Sequence, residues 1–258
     1  MDNINYENRV IDYFQNLSFA IEKIPESNEE TPDFLISGTE RILIEQKTKF
    51  DDIELYEEQK NALDSGEVFQ HGELTGYTSK IAKIIGKGNR QLKKQKTSTN
   101  SDFCFLFIIT SGVNTSTQVK QFSSTFYGIM PIVDFDDGSR VAKNCYYFTE
   151  SQFFRFRETL DGAFLVNSYN GQLKLLINDQ SSNYARLKKS KFLAQFEANV
   201  PCIDPIELEA KGKAYVADCQ INRREVDKIE QYVFKKYNIK RGICHNFENT
   251  VFQTKVRT

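Results

Sequence analysis

Thr31-Pro32-Asp33-Phe34-Leu35-Ile36 and, a short polar interval later, Ile42-Leu43-Ile44-Glu45-Gln46-Lys47 are the stretch on which the reading of this chain turns. Both apolar runs are β-forming, and Ser37-Gly38-Thr39-Glu40 between them is a hairpin turn by composition. Side chains alternate on a strand, so Glu45 and Lys47 share one face while Ile42, Ile44 and Gln46 take the other. Pairing of the two strands brings Asp33, which opens the first, beside Glu45. Two carboxylates at that range repel unless a cation lies between them, and oxygen ligands suit Mg2+ or Mn2+. A metal there would lower the pKa of a bound water and neutralise charge on a phosphoryl group. Lys47 would orient or deprotonate that water, or stabilise the phosphorane.

Working outward, Tyr6, Val10, Tyr13, Phe14 and Leu17 recur at helical spacing and predict a helix over about 4–17. A short strand over 19–24 stops at Pro25, and Glu26 to Thr31 reads as a polar loop. Residues 51–76 are acidic and loop-like, with a short helix near 54–63. From Tyr77 to about Lys96 a second helix follows, with Ile81, Ile84, Ile85 and Leu92 on its apolar side and Gly86 and Gly88 as points of kinking. The run FCFLFII within 102–110 predicts a central buried strand, and 126–135 another. The expected fold class is therefore α/β, with a core over 1–135 in the order helix, three strands, helix, two strands. The remainder, 136–258, reads as an α+β extension for specificity, dimerisation or core completion. It has helices near 150–160 and 182–196, a strand near 172–178, and a helix over 222–237 opened by Asn222 and Glu225 in a capping-box-like start.

The 258 residues are 40% hydrophobic and 27% charged, which excludes a disordered chain and a coiled-coil rod. No run of eighteen apolar residues predicts a membrane span, and no basic-then-apolar leader is visible. Five scattered cysteines without a C-x-x-C pair read as reduced thiols, so the expectation is a soluble, cytoplasmic protein. The net charge of −1 hides a division. Residues 1–75 carry 18 acids and 6 bases, whereas 76–100 carry 7 bases and no acid. Within the second window Lys80, Lys83, Lys87, Arg90 and Lys94 fall near one side of the helix, which favours phosphate contact. The cluster Arg186-Leu187-Lys188-Lys189-Ser190-Lys191 reads as solvent-facing.

The aspartate, glutamate and lysine in this strand context resemble the PD-(D/E)xK phosphodiesterase superfamily, the restriction-endonuclease-like fold with a mixed central sheet flanked by helices. The resemblance covers roughly residues 1–135. It implies that Asp33 and Glu45 ligate Mg2+ or Mn2+ together with the backbone carbonyl of Gln46, and that Lys47 is catalytic. Many members add a glutamate from the first helix, a place taken here by Glu7. The helix after the lysine strand often offers side chains to the site or to DNA, which points to Lys80, Lys87, Arg90, Gln91 and Lys94. What it implies overall is a metal-dependent DNA endonuclease, in a setting such as restriction or phage defence, with DNA as partner and a homodimer as an option. The alternative is a DNA-binding or scaffolding protein that keeps the fold without cutting. The Gln-x-x-x-Tyr motif of some exonuclease subfamilies is absent, since Gln91 is followed by Gln95.

Acidic-x-Lys triplets arise readily by chance, and the chain has two more, Glu58-Gln59-Lys60 and Glu209-Ala210-Lys211. The first lies in a polar, helix-like stretch. The second follows Asp204 too closely for a separate strand. Other chemistries find less support. His71 and His245 lack metal-ligand neighbours, Gly86-Lys87-Gly88 is no Walker A loop, and neither a Gly-x-Ser-x-Gly elbow nor a dinucleotide fingerprint occurs. Tyr146, Tyr147, Phe153, Phe154, Phe156 and Tyr169 form an aromatic-rich segment open to a specificity role, a dimer interface or a core role.

Overall fold

The computed structural model describes residues 6–25, 31–138 and 141–255. The N-terminal half runs α1 (Tyr6–Asn16), β1 (Ala20–Lys23), β2 (Phe34–Ser37), β3 (Ile42–Phe50), α2 (Ile53–Asp64), β4 (Phe69–Leu74) and α3 (Ser79–Lys96). Then come β5 (Phe103–Ser111), α4 (Thr115–Tyr127), β6 (Met130–Asp134), β7 (Lys143–Tyr146), α5 (Gln152–Arg155), β8 (Gly162–Asn167) and β9 (Leu173–Ile177). The chain closes with α6 (Tyr184–Leu187), α7 (Lys191–Glu197), β10 (Cys202–Ile203), α8 (Pro205–Ala210), β11 (Tyr215–Val216), α9 (Val226–Lys236), β12 (Gly242–Cys244) and β13 (Glu248–Gln253). The loop expected over Glu26 to Thr31 lies, Thr31 apart, outside the described residues.

The fold is mixed α/β. Its main sheet has the order β1-β2-β3-β5-β8-β9-β10. Strands β1, β2 and β3 form an antiparallel meander, and β3, β5 and β8 then run parallel. Strand β9 turns back antiparallel on β8, with β10 parallel to it at the edge. All of β5 except its last residue is buried, as a strand covered on both faces must be. On one face Leu43, Leu106, Ile108 and Leu165 meet Ile81, Ile85 and Leu92 of α3 and Phe122 and Phe126 of α4. On the other, Ile42, Ile44, Phe105, Phe107 and Phe164 meet Val10 and Phe14 of α1 and Phe192 and Phe196 of α7. That second face is a phenylalanine cluster, with Phe14 edge-on to Phe164 at 5.4 Å between centroids. A smaller sheet, β11-β7-β6-β12, packs on α9, and β13 pairs with β4.

Several expectations are corrected. The strand expected over 126–135 begins only at Met130, because Phe126 and Tyr127 end a helix absent from the sequence reading. That helix, α4, is capped by Asn114, whose side chain accepts the Thr117 N–H, and stopped by Gly128 at φ 68°. The acidic stretch 51–76 holds both a longer helix, α2, and a strand, β4. Strand β8 was not anticipated. The helix expected over 150–160 shrinks to α5, and that over 182–196 breaks into α6 and α7 at Ser190, whose hydroxyl caps Leu193 N–H at 3.1 Å. No capping box forms before α9, since Glu225 itself holds the cap position without a side-chain bond. The division at residue 135 crosses the main sheet: β8, β9 and β10 lie in one sheet with β1, β2, β3 and β5. Core completion is what residues 162–203 do.

Candidate active site

Pairing of β2 with β3 sets Phe34 opposite Ile44, and one further step of that register puts Asp33 opposite Glu45. The Gln46 N–H donates to Asp33 Oδ2 at 2.7 Å, locking the aspartate onto β3. Alternation along β3 then turns Leu43, Glu45 and Lys47 toward α3. Glu45 is 0% exposed. Gly88 of α3 faces it, and a Cβ there would stand 3.4 Å from Glu45 Cγ and 2.5 Å from Leu106 Cδ2. Space for the carboxylate therefore depends on a residue without a side chain, and α3 passes through Gly86 and Gly88 without a break.

The Lys47 ammonium donates to Glu45 Oε1, while Glu45 Oε2 is buried and meets no donor among the described residues, its carboxyl having the Asp33 carboxylate for a neighbour. A buried carboxylate oxygen without a donor is costly in its charged form. Burial, then the Asp33 charge, push the Glu45 pKa up to about 8, against the pull of Lys47. Burial also raises Asp33, opposed by the Gln46 N–H and by Lys47, and the charge of Glu7 adds to the rise. Glu7 is thus near the pair, with its carboxylate on Lys23 Nζ at 2.7 Å. Among the described residues no group of three or more His, Cys, Asp or Glu is disposed to hold a metal ion. Two adjacent acids, one with an orphaned oxygen, do fit a hard divalent cation, and Asp33 and Glu45 are the residues that would hold it. Gln46 spends its N–H on Asp33 and leaves its side-chain Oε1 buried without a partner.

Helix α3 divides its candidates. Lys80, Lys83, Lys87, Arg90 and Lys94 are exposed. Lys80 lies 3.6 Å from Asp52, whereas Lys87, Arg90 and Lys94 make no ion pair among the described residues. Gln91 departs from that face. It is buried, and its Nε2 donates at 3.2 Å to the carbonyl of Thr31, two residues before Asp33. Gln91 Oε1 and Asn89 Oδ1 are buried without partners as well. Sequence reasoning missed Gly88 and Asn89, although Gly88 stands three residues after Ile85 and four before Leu92 and so shares their packed side.

Two of the four bases of the second cluster are neutralised, while Lys189 and Lys191 are exposed. Lys188 is ringed by Glu207 at 2.7 Å, Glu197 at 2.8 Å and Asp204 at 3.3 Å, and Arg186 pairs with Asp102 at 2.7 Å. Of the two decoy triplets, Glu58–Lys60 lies within α2, and Glu209 at the end of α8 pairs with Lys236 at 2.8 Å. Tyr146, Tyr147 and Phe153 are core residues, while Phe154 and Tyr169 are exposed. No helix among the described residues is long and apolar enough to cross a membrane. No protein-family model matches the chain, and neither a curated protein nor a solved structure is similar enough to serve as a relative.

Proposed function

We propose that the protein is a metal-dependent endonuclease that hydrolyses phosphodiester bonds in DNA, with Asp33, Glu45 and Lys47 as its working set. The observation that carries this reading is the state of Glu45, sealed under α3 with one oxygen unpartnered, beside a second acid and within reach of a lysine. An acid pair with one member fully buried is a poor structural joint and a good cation receptor. Bound Mg2+ or Mn2+ supplies charge neutralisation at a phosphoryl oxygen and a more acidic water. Asp33 is oriented for that role by the Gln46 N–H, and Glu45 by Lys47. Lys47, 21% exposed at its side chain, is the partly exposed member beside Glu45, and its ammonium can hold an attacking water by a donated hydrogen bond. The exposed bases of α3 balance an acidic N-terminal segment that would otherwise repel a polyanion.

The test is conversion of supercoiled plasmid with Mg2+, Mn2+ or EDTA, for the wild type and for Asp33→Asn and Lys47→Ala. Cleavage that needs the metal and disappears in both variants is expected. Equal cleavage by the variants would place the chemistry elsewhere. Metal-independent DNA binding without cleavage by the wild type would favour the non-cleaving reading.

A further inference from the structure

A cavity of about 330 Å3 opens on the far side of α5, between residues 147–154, the turn at Gln180 and the loop 216–223. Its size is at the lower end for small-ligand sites. The floor is Tyr147, Val216 and Ala217, all buried. Tyr147 is held at φ 60°, a costly conformation for a tyrosine, with its hydroxyl on the Asp179 carboxylate. Thr149 Oγ1, on a residue lining the cavity, is buried with no hydrogen-bond partner. One wall is the ring of Phe154, 47% exposed, with the Arg157 guanidinium 4.7 Å from its centroid. The opposite wall is a loop gathered by Arg223, which donates to the carbonyls of Ala217, Cys219 and Ile221 at 2.9, 3.0 and 2.9 Å.

These features select a class of ligand. Arg223, the one basic residue among those that line the cavity, spends its donors on its own loop, and Asp218 lines the same wall, so the interior does not suit a phosphate. It offers an aromatic face, an apolar floor, and edge groups that both donate and accept: the amides of Gln180, Gln220 and Asn222. A neutral flat ring with donors and acceptors around its rim fits that set, and a nucleobase is such a ring. The position agrees. Helix α5 packs beside α3, with Gln152 Nε2 at 3.4 Å from Tyr77 and the Phe156 ring 3.8 Å from where a Gly86 Cβ would be. Arg155 and Arg157, both exposed, thus continue the basic surface of α3 toward the mouth beside Phe154.

We propose that this cavity receives one unstacked nucleobase of the nucleic acid whose backbone lies on α3, an inference that rests on the nucleic-acid reading above. Base stacking on an exposed aromatic, with an arginine over the same ring, is a sequence-tolerant hold that a regular duplex does not offer. The ligand is a base that is already unpaired, because extruding one from a duplex costs a few kcal/mol. A free nucleoside presents the same rim, so the experiment needs an arm for each source.

The full chain is titrated with three probes: a paired duplex, the same duplex with one bulged 2-aminopurine, and 2-aminopurine riboside. The bulged duplex should bind roughly ten-fold or more tighter than the paired one and change the probe's fluorescence, with the preference lost in Phe154→Ala and in Gln180→Ala. Phe154 is half exposed, so its removal spares the core, and circular dichroism checks both variants. Duplexes bound equally without a fluorescence change, or a preference that survives both variants, would overturn the cavity assignment and leave the nucleic-acid reading intact. Saturable binding of the riboside with neither duplex bound would keep the nucleobase chemistry but overturn its source in nucleic acid. Binding of no probe would overturn both.

Discussion

Glu45 on β3 and Asp161 just before β8 are both fully buried carboxylic acids, and both have their pKa raised first of all by burial. Their surroundings differ. Asp161 accepts the Cys104 N–H at 2.8 Å, the Ser181 hydroxyl and Asn183 Nδ2 at 3.2 Å, so three donors meet it from two segments. It is a joint that ties β5 to the start of β8 and to the turn after β9. Glu45 has one lysine on one oxygen, nothing on the other, and a second acid for a neighbour. Burial alone therefore does not mark a functional acid. A deficit of donors beside like charge is what sets Glu45 apart, and it is the feature on which the proposed role rests.

The largest effect that could break this contrast is chemical. Glu45→Gln and Lys47→Ala should lower Mg2+-dependent plasmid nicking by roughly two to four orders of magnitude with far-ultraviolet circular dichroism unchanged, whereas Asp161→Ala should keep nicking near wild type. Nicking lost in Asp161→Ala but kept in Glu45→Gln would invert the assignment. The second effect is thermodynamic and has the opposite order. Asp161→Ala strands three buried donors and should cost about 3 kcal/mol in urea unfolding, while Glu45→Gln puts a neutral isostere in place of an acid the fold already holds protonated below about pH 8 and should be near neutral there.

The pH dependence sharpens the same comparison. Glu45 titrates at about 8 in the folded protein against an ordinary 4.5. Between those values the native state holds a proton that the unfolded chain has released, so stability is present below that window and falls as pH rises through it. Asp179, raised by burial to about 6, acts in the same direction over the lower part. The metal-free melting temperature should therefore drop from pH 5 to 8, with the fall above pH 6 flattened in Glu45→Gln. Divalent cations should restore stability at pH 8 in the wild type only. A flat wild-type profile above pH 6 would remove the strained acid pair.

The smallest effect separates the two basic segments. If Lys87, Arg90 and Lys94 touch phosphate, their joint replacement by alanine should lower the log–log salt slope of DNA binding by roughly two to three units, alike on unrelated duplexes. Lys188→Ala should leave the slope unchanged, because that ammonium already faces three carboxylates. Equal slope changes in both would return α3 to an ordinary solvated face.

Much of the candidate site was legible. Two-residue periodicity put Glu45 and Lys47 on one face of a strand, hairpin spacing put Asp33 next to them, and the 3.6-residue period separated the bases of α3 from Ile81, Ile85 and Leu92. These are local rules that need only the order of side chains along one element or across one turn. Gln91 was legible as a helix residue but not as a buried prop under Thr31, since its side of α3 depends on where the strand lies.

What the sequence by itself determined was the set of local elements at the start of the chain, the acid–acid–lysine pattern and the charge division. Only the tertiary structure decided that Glu45 is sealed by Gly88, that one of its oxygens has no donor, and that Lys188 is a caged ion rather than a free base. It also decided that α4 is a helix and that β8 completes the sheet. Serine and threonine in TSTQVKQFSSTFY weaken helical periodicity, and Phe122 and Phe126 find their reason only in the face of β5 and β8 that they cover. Periodicity is a property of one segment, whereas burial, donor deficit and charge pairing belong to segments distant in sequence that the fold brings together.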